Sequence, residues 1–529
     1  MARRRVRTPM RRLAVLFAAA LLVLGSGCGP LAEWAGLAPW GNPSATDPAG
    51  HAAGPRGSTG AGRVLPGEED EPGPGDGPAG LHWQRASLAS VGDVLIHNTL
   101  LAAARQGDGT YDFGPALAAV APALRAADLA VGNLEQPVTG ADLGGYTGYP
   151  RFNSPPELLA ALRQAGFDVL TNANNHTLDR GRRGVERTYA NLERFGFIHA
   201  GTARTPEERD RIAIAEAGGI RIAFLAYTYG TNGIPLPAPY LVNLIDPRQI
   251  AADIARARRA GADLVSVSLH FGNEYETEPN RQQEDMVDQV LAAGADIVLG
   301  HHPHVLQRAE LRPMKRAGDE AAAEAPPPGA SGPPEPRREG PGRGPGEPGE
   351  EDQPGSAGGA PVAGAPAAGA PAAGAPGAGA AAAGPDRSCT RPGSGSGQPA
   401  GYTGSTGGRP CLYKAVLFSQ GNFLAGQIGE DRMTSALFWL DLARDPLTGR
   451  AGVTGIRYVP LYIHKGRVDG RWLWRPLPAR EAAGDPARYQ VPQADVPLLE
   501  RAYRRALERL EAPGVRWVPM EELAPAQGP

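Results

Sequence analysis

Six of the ten histidines in this chain, His97, His176, His270, His301, His302 and His304, sit in short polar motifs that follow apolar runs. Chance would scatter them. The densest motif is Gly300-His301-His302-Pro303-His304, after the run ADIVL. A turn holding imidazoles at i and i+2 can direct both at one metal ion. Gly92-Asp93 closes the run SLASVGD, with His97 four residues on. A carboxylate at a strand terminus is a hard ligand for Mn, Mg, Fe or Zn, or else a turn or cap residue. Gly132-Asn133-Leu134-Glu135 offers an amide and a carboxylate, and Asn172 to Asp179 gathers amides, His176 and a carboxylate in one stretch. His270-Phe271-Gly272-Asn273-Glu274-Tyr275 again follows an apolar run, and Ser419 to Phe423, with Asn422, reads equally well as a turn.

Taken together, Asp93, Asn133, Glu135, Asn175, His176, His270, His302 and His304 form a mixed oxygen and nitrogen set at five strand ends. Such a set suits one or two divalent ions, with Mn, Fe, Zn and Mg not distinguished. Ions there would polarise a phosphoryl or carbonyl oxygen and acidify a bound water. No cysteine occurs in these motifs, which disfavours a thiolate zinc site.

The elements that must position these residues are legible between residue 86 and residue 480. Runs such as DLAVGN, FDVLTNANNH, RIAFLAYTY, DLVSVSLH, ADIVLGHH and AVLFSQGN alternate with amphipathic stretches at Pro155 to Ala165, Gly184 to Phe195, Pro247 to Ala260 and Asn280 to Ala293. That alternation predicts an α/β layered fold with chemistry at the strand C-termini. Ala436 to Leu442 and Arg457 to Ile463 read as further strands. Val496 to Leu510, within a C-terminal extension over 481–529, reads as an amphipathic helix.

The remainder reads as attachments. Arginines at positions 3, 4, 5, 7, 11 and 12 precede an apolar run from Leu13 to Leu24, too short for the roughly 20 residues a bilayer requires. Leu24-Gly25-Ser26-Gly27-Cys28 then resembles a bacterial lipobox, so residues 1–28 are expected to be a lipoprotein signal with Cys28 lipidated on the extracytoplasmic face of the cell membrane. Residues 29–85 are expected to be a disordered tether, and 315–410, nearly pure Ala, Gly and Pro from Pro361 to Ala380, a disordered insertion between two parts of one domain, 86–314 and 411–480. Export would let Cys389 and Cys411 pair, closing a loop of about 20 residues worth roughly 3 kcal/mol. With 53 basic and 56 acidic residues, the net charge of −3 gives no long-range pull towards nucleic acid, and none is expected as a partner.

The order VGDVLIH, GNLE, ANNHTLD, SLHFGNEY, GHHPHV and SQGNF resembles the CapA family of capsule and poly-γ-glutamate synthesis proteins, over about residues 86 to 312 and 413 to 470. The resemblance implies a calcineurin-like, metallophosphatase-type αββα sandwich. It implies metal-ligand roles for Asp93, Asn133, Asn175, His270, His302 and His304, and acid/base or substrate roles for His176, Glu135 and Asp179. Substrate contacts are expected of His97, Glu274, His301 and Asn422. Ordinary metallophosphatases open with Asp-x-His and carry a separate GDxxD element, where this chain has Asp93-x-x-x-His97 and Glu135. The implied function is synthesis, export or attachment of an anionic envelope polymer beside membrane synthase components, as a metal-dependent hydrolase or transferase. A non-catalytic polymer-binding subunit and a general phosphoesterase are the alternatives.

Overall fold

Strands that are covered on both faces lose the alternation of a half-exposed strand and read as continuous apolar runs. In the computed structural model, which describes residues 82–314, 389–390 and 409–524, β2 (Leu129–Leu134), β7 (Leu264–His270) and β8 (Ile297–His301) are buried at every position. They lie inside a four-layered molecule.

The first sheet places β4 (Ile198–Ala200), β3 (Val169–Thr171), β2 and β1 (Gln84–Leu95) side by side in parallel. It continues antiparallel through β14 (Thr434–Arg444), β15 (Ala451–Val468) and β16 (Arg471–Pro478). The second runs β5 (Ala213–Ala217), β6 (Ile220–Thr228), β7, β8 and β12 (Tyr413–Leu417), parallel except for β5. The antiparallel β9 (Ala309–Pro313) pairs with β12, and the short β13 (Asn422–Ala425) lies parallel to β1. Hydrogen bonding joins these strands, with β17 (Val515–Trp517), into one 15-stranded sheet whose two parts meet at a single pair, Tyr413 with Val453.

The core shows the layering. Leu88, Val131 and Val169 of the first sheet meet Phe224, Leu264, Ile297 and Leu417 of the second in one buried cluster. The opposite face of the first sheet, with Val91, Val94 and Leu134, is covered by Leu101, Leu124, Leu158, Leu162 and Leu499 from helices. The opposite face of the second, with Val265, Val267 and Val298, is covered by Ile250, Ile254, Val287 and Val290 from the helices Pro247–Arg259 and Arg281–Ala292. This is the αββα sandwich that the motif order implies.

The parallel strands β1, β2, β7 and β8 end on one rim, as β–α crossovers require. The chain outside 86–480 takes part in the fold: β1 begins at Gln84, and within 481–529 β17 (Val515–Trp517) pairs with β15. The helix Val496–Leu510 packs Leu499 and Ala502 on one cluster and Ala506 and Leu510 on another. The expected leader with Cys28, nearly all of the tether and most of the 315–410 insertion lie outside the described residues. What is described there is the ladder of β10 (Cys389–Thr390) with β11 (Arg409–Pro410), and Cys411 is disulfide-bonded. No helix among the described residues is long and apolar enough to cross a membrane.

Candidate metal centre

Asp93 reaches the rim because β1 runs hard against the turn before β13. A Cβ on Gly92 would sit 1.8 Å from the Gly421 carbonyl oxygen, and the Asp93 N–H donates to that same oxygen at 3.0 Å. Only glycine fits there. Asn133 and Glu135 end β2, His270 ends β7, and His302 and His304 follow β8. His302 and His304 hold left-handed backbone, φ 98° and 58°, which costs non-glycine residues about 1–3 kcal/mol and recurs where side chains must be aimed at a site.

The side chains converge. Asp93 Oδ1 accepts from Asn133 Nδ2 at 2.8 Å and lies 3.1 Å from His301 Nδ1, while Asp93 Oδ2 lies 3.2 Å from His304 Nδ1. Glu135 Oε1 is 3.4 Å from His270 Nε2 and 3.7 Å from His304 Nε2. His270 Nε2 is also 3.0 Å from Asn175 Oδ1. Two triads result, Glu135 with His302 and His304, and Asp93 with Glu135 and His270, each presenting ligand atoms within 4.8 Å of one another. Glu135 belongs to both.

Electrostatics say what the cluster lacks. Burial pushes the Asp93 carboxyl up, but hydrogen bonds from His301 and His304 outweigh it and hold the group well below the usual range. Burial, then the neighbouring Asp93 charge, drives Glu135 well above its usual range. Burial and the charge of His302 push His270 well down, and burial with His304 takes His302 down to about 4. Neutral imidazoles beside two carboxylates, one without a proton partner, are what a divalent cation requires. Both Glu135 oxygens and His302 Nδ1 are buried without a hydrogen-bond partner, a cost of about 1–3 kcal/mol for each such group that a bound ion would remove. These residues fit a divalent metal.

The other expected residues divide between those that border this core and those that do not. His176 Nδ1 lies 2.8 Å from Asp179 Oδ2, which also accepts the Phe152 N–H at 2.7 Å, so a carboxylate fixes the ring and its tautomer. His97 does not join the cluster: its Nδ1 is 3.1 Å from the Gly426 N–H, and its ring meets the edge of Phe152, whose other side packs on His176. His301, expected to touch substrate, is 2 % exposed and turned onto Asp93. Asn422 is wholly buried and spends its Nδ2 on the His304 carbonyl, Gln427 and the Arg432 carbonyl, which braces the loop. Asn133 presents its Nδ2 to Asp93, and a half-turn of the amide would present its oxygen instead. Glu274 stands exposed on the rim.

Residues to which motif reading gave no role also border the site. Tyr229 lies over His302 with ring centroids 4.7 Å apart and is half exposed. It closes the run RIAFLAYTY, and its place at a strand end was the available signal. Tyr275 stands 6.4 Å from His304, ring to ring, with the Arg432 guanidinium 4.9 Å from its ring centroid. Arg432 carries no motif signal, because it lies 130 positions along the chain from His302.

The family described as bacterial capsule synthesis protein PGA_cap matches residues 87–318. The capsule biosynthesis protein CapA of Bacillus anthracis is 29% identical over 232 residues, covering 42% of this chain and 56% of that protein. The PGA biosynthesis protein CapA of Bacillus subtilis (strain 168) is 30% identical over 242 residues, 42% of this chain and 59% of that protein. The chain thus spans less than two thirds of the curated relatives it matches, and the resemblance read from the motifs stands. Among solved structures, the calcineurin-like phosphoesterase YfkN from Bacillus subtilis aligns at 14% identity over 44% of this chain and 75% of that one, with a TM-score of 0.28. A likeness of that size does not bear on function.

Proposed function

Starting from the likeness to capsule synthesis proteins, we propose that this chain is a metal-dependent hydrolase or transferase acting on an anionic polymer of the cell envelope, poly-γ-glutamate or a capsule polymer. The observation that carries the reading is the partnerless Glu135 carboxylate shared by two ligand triads. A structural scaffold has no reason to bury such a group.

A divalent ion held by Asp93, Glu135, His270, His302 and His304 would supply positive charge to the oxygen under attack and acidify a water. The protein's own groups do the rest. His301 and Asn133 fix the Asp93 carboxylate, as outer-shell partners fix a ligand. Asn175 orients His270. His176, with Nδ1 committed to Asp179, has Nε2 left to give or take a proton at the leaving atom, as a general acid positioned by a carboxylate. Tyr229, over His302, narrows access to water.

The same reading puts Cys28 under a lipid anchor on the extracytoplasmic face, near a membrane synthase that makes the polymer. Incorporation of labelled palmitate, lost in Cys28→Ala, tests the anchor. The test of the activity is metal analysis of the full chain purified without chelators, with assays on poly-γ-glutamate and on a simple phosphodiester. Stoichiometric Mn, Fe, Zn or Mg with polymer cleavage or transfer is the expected result. Cleavage of the phosphodiester alone would make the chain a general phosphoesterase, and metal without turnover would make it a polymer-binding accessory.

A further inference from the structure

Beside His304 a cavity of about 250 Å³ is lined by Tyr275, Val305, Gly429, Glu430, Asp431 and Arg432. Val305 is the next residue after His304, and the Tyr275 and His304 ring centroids are 6.4 Å apart, so the cavity adjoins the metal-ligand cluster. Its charges are sorted in an uneven way. Glu430 is bound by Arg501 and Arg505, at 2.8 and 2.9 Å, and Asp431 by Arg505 and Arg509, at 2.8 and 2.7 Å, all three arginines from the helix Val496–Leu510. Hydrogen bonds from Arg501 and Arg505 hold the Glu430 carboxyl down to about 2.

Arg432, the next residue, has no carboxylate partner among the described residues. Its guanidinium lies 4.9 Å over the Tyr275 ring, and it folds across Gly429, where a Cβ would come within 2.9 Å of its Nε. The two acids of the short helix Glu430–Met433 are thus neutralised by three cations, and the fourth cation stands over an aromatic ring at the wall of a cavity. Further donors are in surplus, since Arg505 Nη1 and Arg509 Nη1 are buried without a partner. A planar guanidinium held on a tyrosine face, with no carboxylate paired to it among the described residues, is suited to take a carboxylate or phosphate in a two-pronged bond.

We infer that Arg432, set on Tyr275, binds an anionic group of the substrate next to the reacting bond. The inference rests on the proposed polymer-directed reading and gives it a specificity residue: a chain bearing repeated anionic groups would lay one of them in this cavity while the neighbouring linkage lies at Asp93, Glu135 and His304. The ion pairs of Glu430 and Asp431 with the helix Val496–Leu510 position the short helix that carries Arg432.

The test is calorimetric titration of the metal-loaded full chain with an oligo-γ-glutamate and, separately, with inorganic phosphate, comparing Arg432→Gln and Arg432→Lys with the parent. Losing a charged hydrogen-bond partner predicts roughly 10- to 100-fold weaker binding in Arg432→Gln, with partial recovery in Arg432→Lys. Metal content and melting temperature should be unchanged. Weakening in the oligo-glutamate arm identifies a polymer carboxylate as the ligand, and weakening in the phosphate arm identifies a phosphate. If the parent binds oligo-glutamate and turns nothing over, the catalytic reading fails and the Arg432 inference stands or falls on the variants alone. Undiminished binding of both anions by Arg432→Gln overturns the inference, as does loss of metal from that variant or no binding of either anion by the parent.

Discussion

Glu135 and Asp253 are both carboxylates without exposed surface, and the fold treats them in opposite ways. Asp253, in the helix Pro247–Arg259, receives Arg209 at 2.7 Å, Arg256 at 2.6 Å, the Tyr227 hydroxyl at 2.8 Å and Gln249 at 3.0 Å. Its two oxygens each have two donors. Glu135 has none, and the charge of another carboxylate, Asp93, drives it well above its ordinary range after burial has done the same. The same chain therefore can satisfy a buried acid from its own side chains, and at Glu135 it does not. The difference teaches that the unsatisfied acid belongs with an ion from outside, whereas the satisfied one serves the packing of β6 against its helix.

The sharpest break between the two regions is metal content. His302→Ala or Asp93→Ala should reduce affinity for Mn, Fe or Zn by more than about 100-fold, beyond the loss expected from an outer-shell partner. The metal-free fold should persist by circular dichroism. Retention of full metal by both variants would remove the ligand assignment. Asp253→Ala should do the reverse. It strands Arg209, Arg256 and the Tyr227 hydroxyl and should cost about 3 kcal/mol in denaturant unfolding with metal content unchanged. A smaller effect falls between the regions: His301→Ala removes a partner of Asp93 and should weaken metal binding by roughly 10- to 100-fold with little change in stability. If His301→Ala instead destabilised the fold as Asp253→Ala does, His301 would be a packing residue.

How much of this was legible in the sequence depended on distance along the chain. The helices expected at Pro247 to Ala260 and Asn280 to Ala293 form within a residue of those bounds, because the apolar period is a local signal, and in the structure the Asp246 and Asn280 side chains cap them. The candidate metal-ligand residues were legible because each lies at or just beyond a strand end, and parallel strands bring their ends to one rim. The direction of a side chain was not. His301 and His302 are neighbours in a motif of identical residue type, yet the first ends β8 and faces Asp93, while the second has left-handed backbone and enters a ligand triad. The shared position of Glu135 and the placing of Arg432 beside Tyr275 depend on contacts between distant segments, which no local pattern encodes.

The smallest expected effect sharpens the comparison through pH. An ordinary glutamate in the unfolded chain loses its proton near 4.5, and in the metal-free fold Glu135 keeps it to a well higher pH. Between those two values the folded state holds a proton that the unfolded chain has released, so stability contributed by this group is lost as pH rises through the window. His302, lowered to about 4 from 6.5, acts with the opposite sign, because its contribution is lost as pH falls through its own window, and His270 shifts in the same direction. The slope of Glu135 must therefore be read as the difference between the parent and Glu135→Gln, both metal-free, in denaturant unfolding from pH 5 upward. The parent should lose stability relative to Glu135→Gln as pH rises, and added metal should reverse the trend, since the ion binds the deprotonated carboxylate. Parallel curves for the two proteins would mean that Glu135 is already compensated within the fold, as Asp253 is, and the contrast between the two acids would disappear.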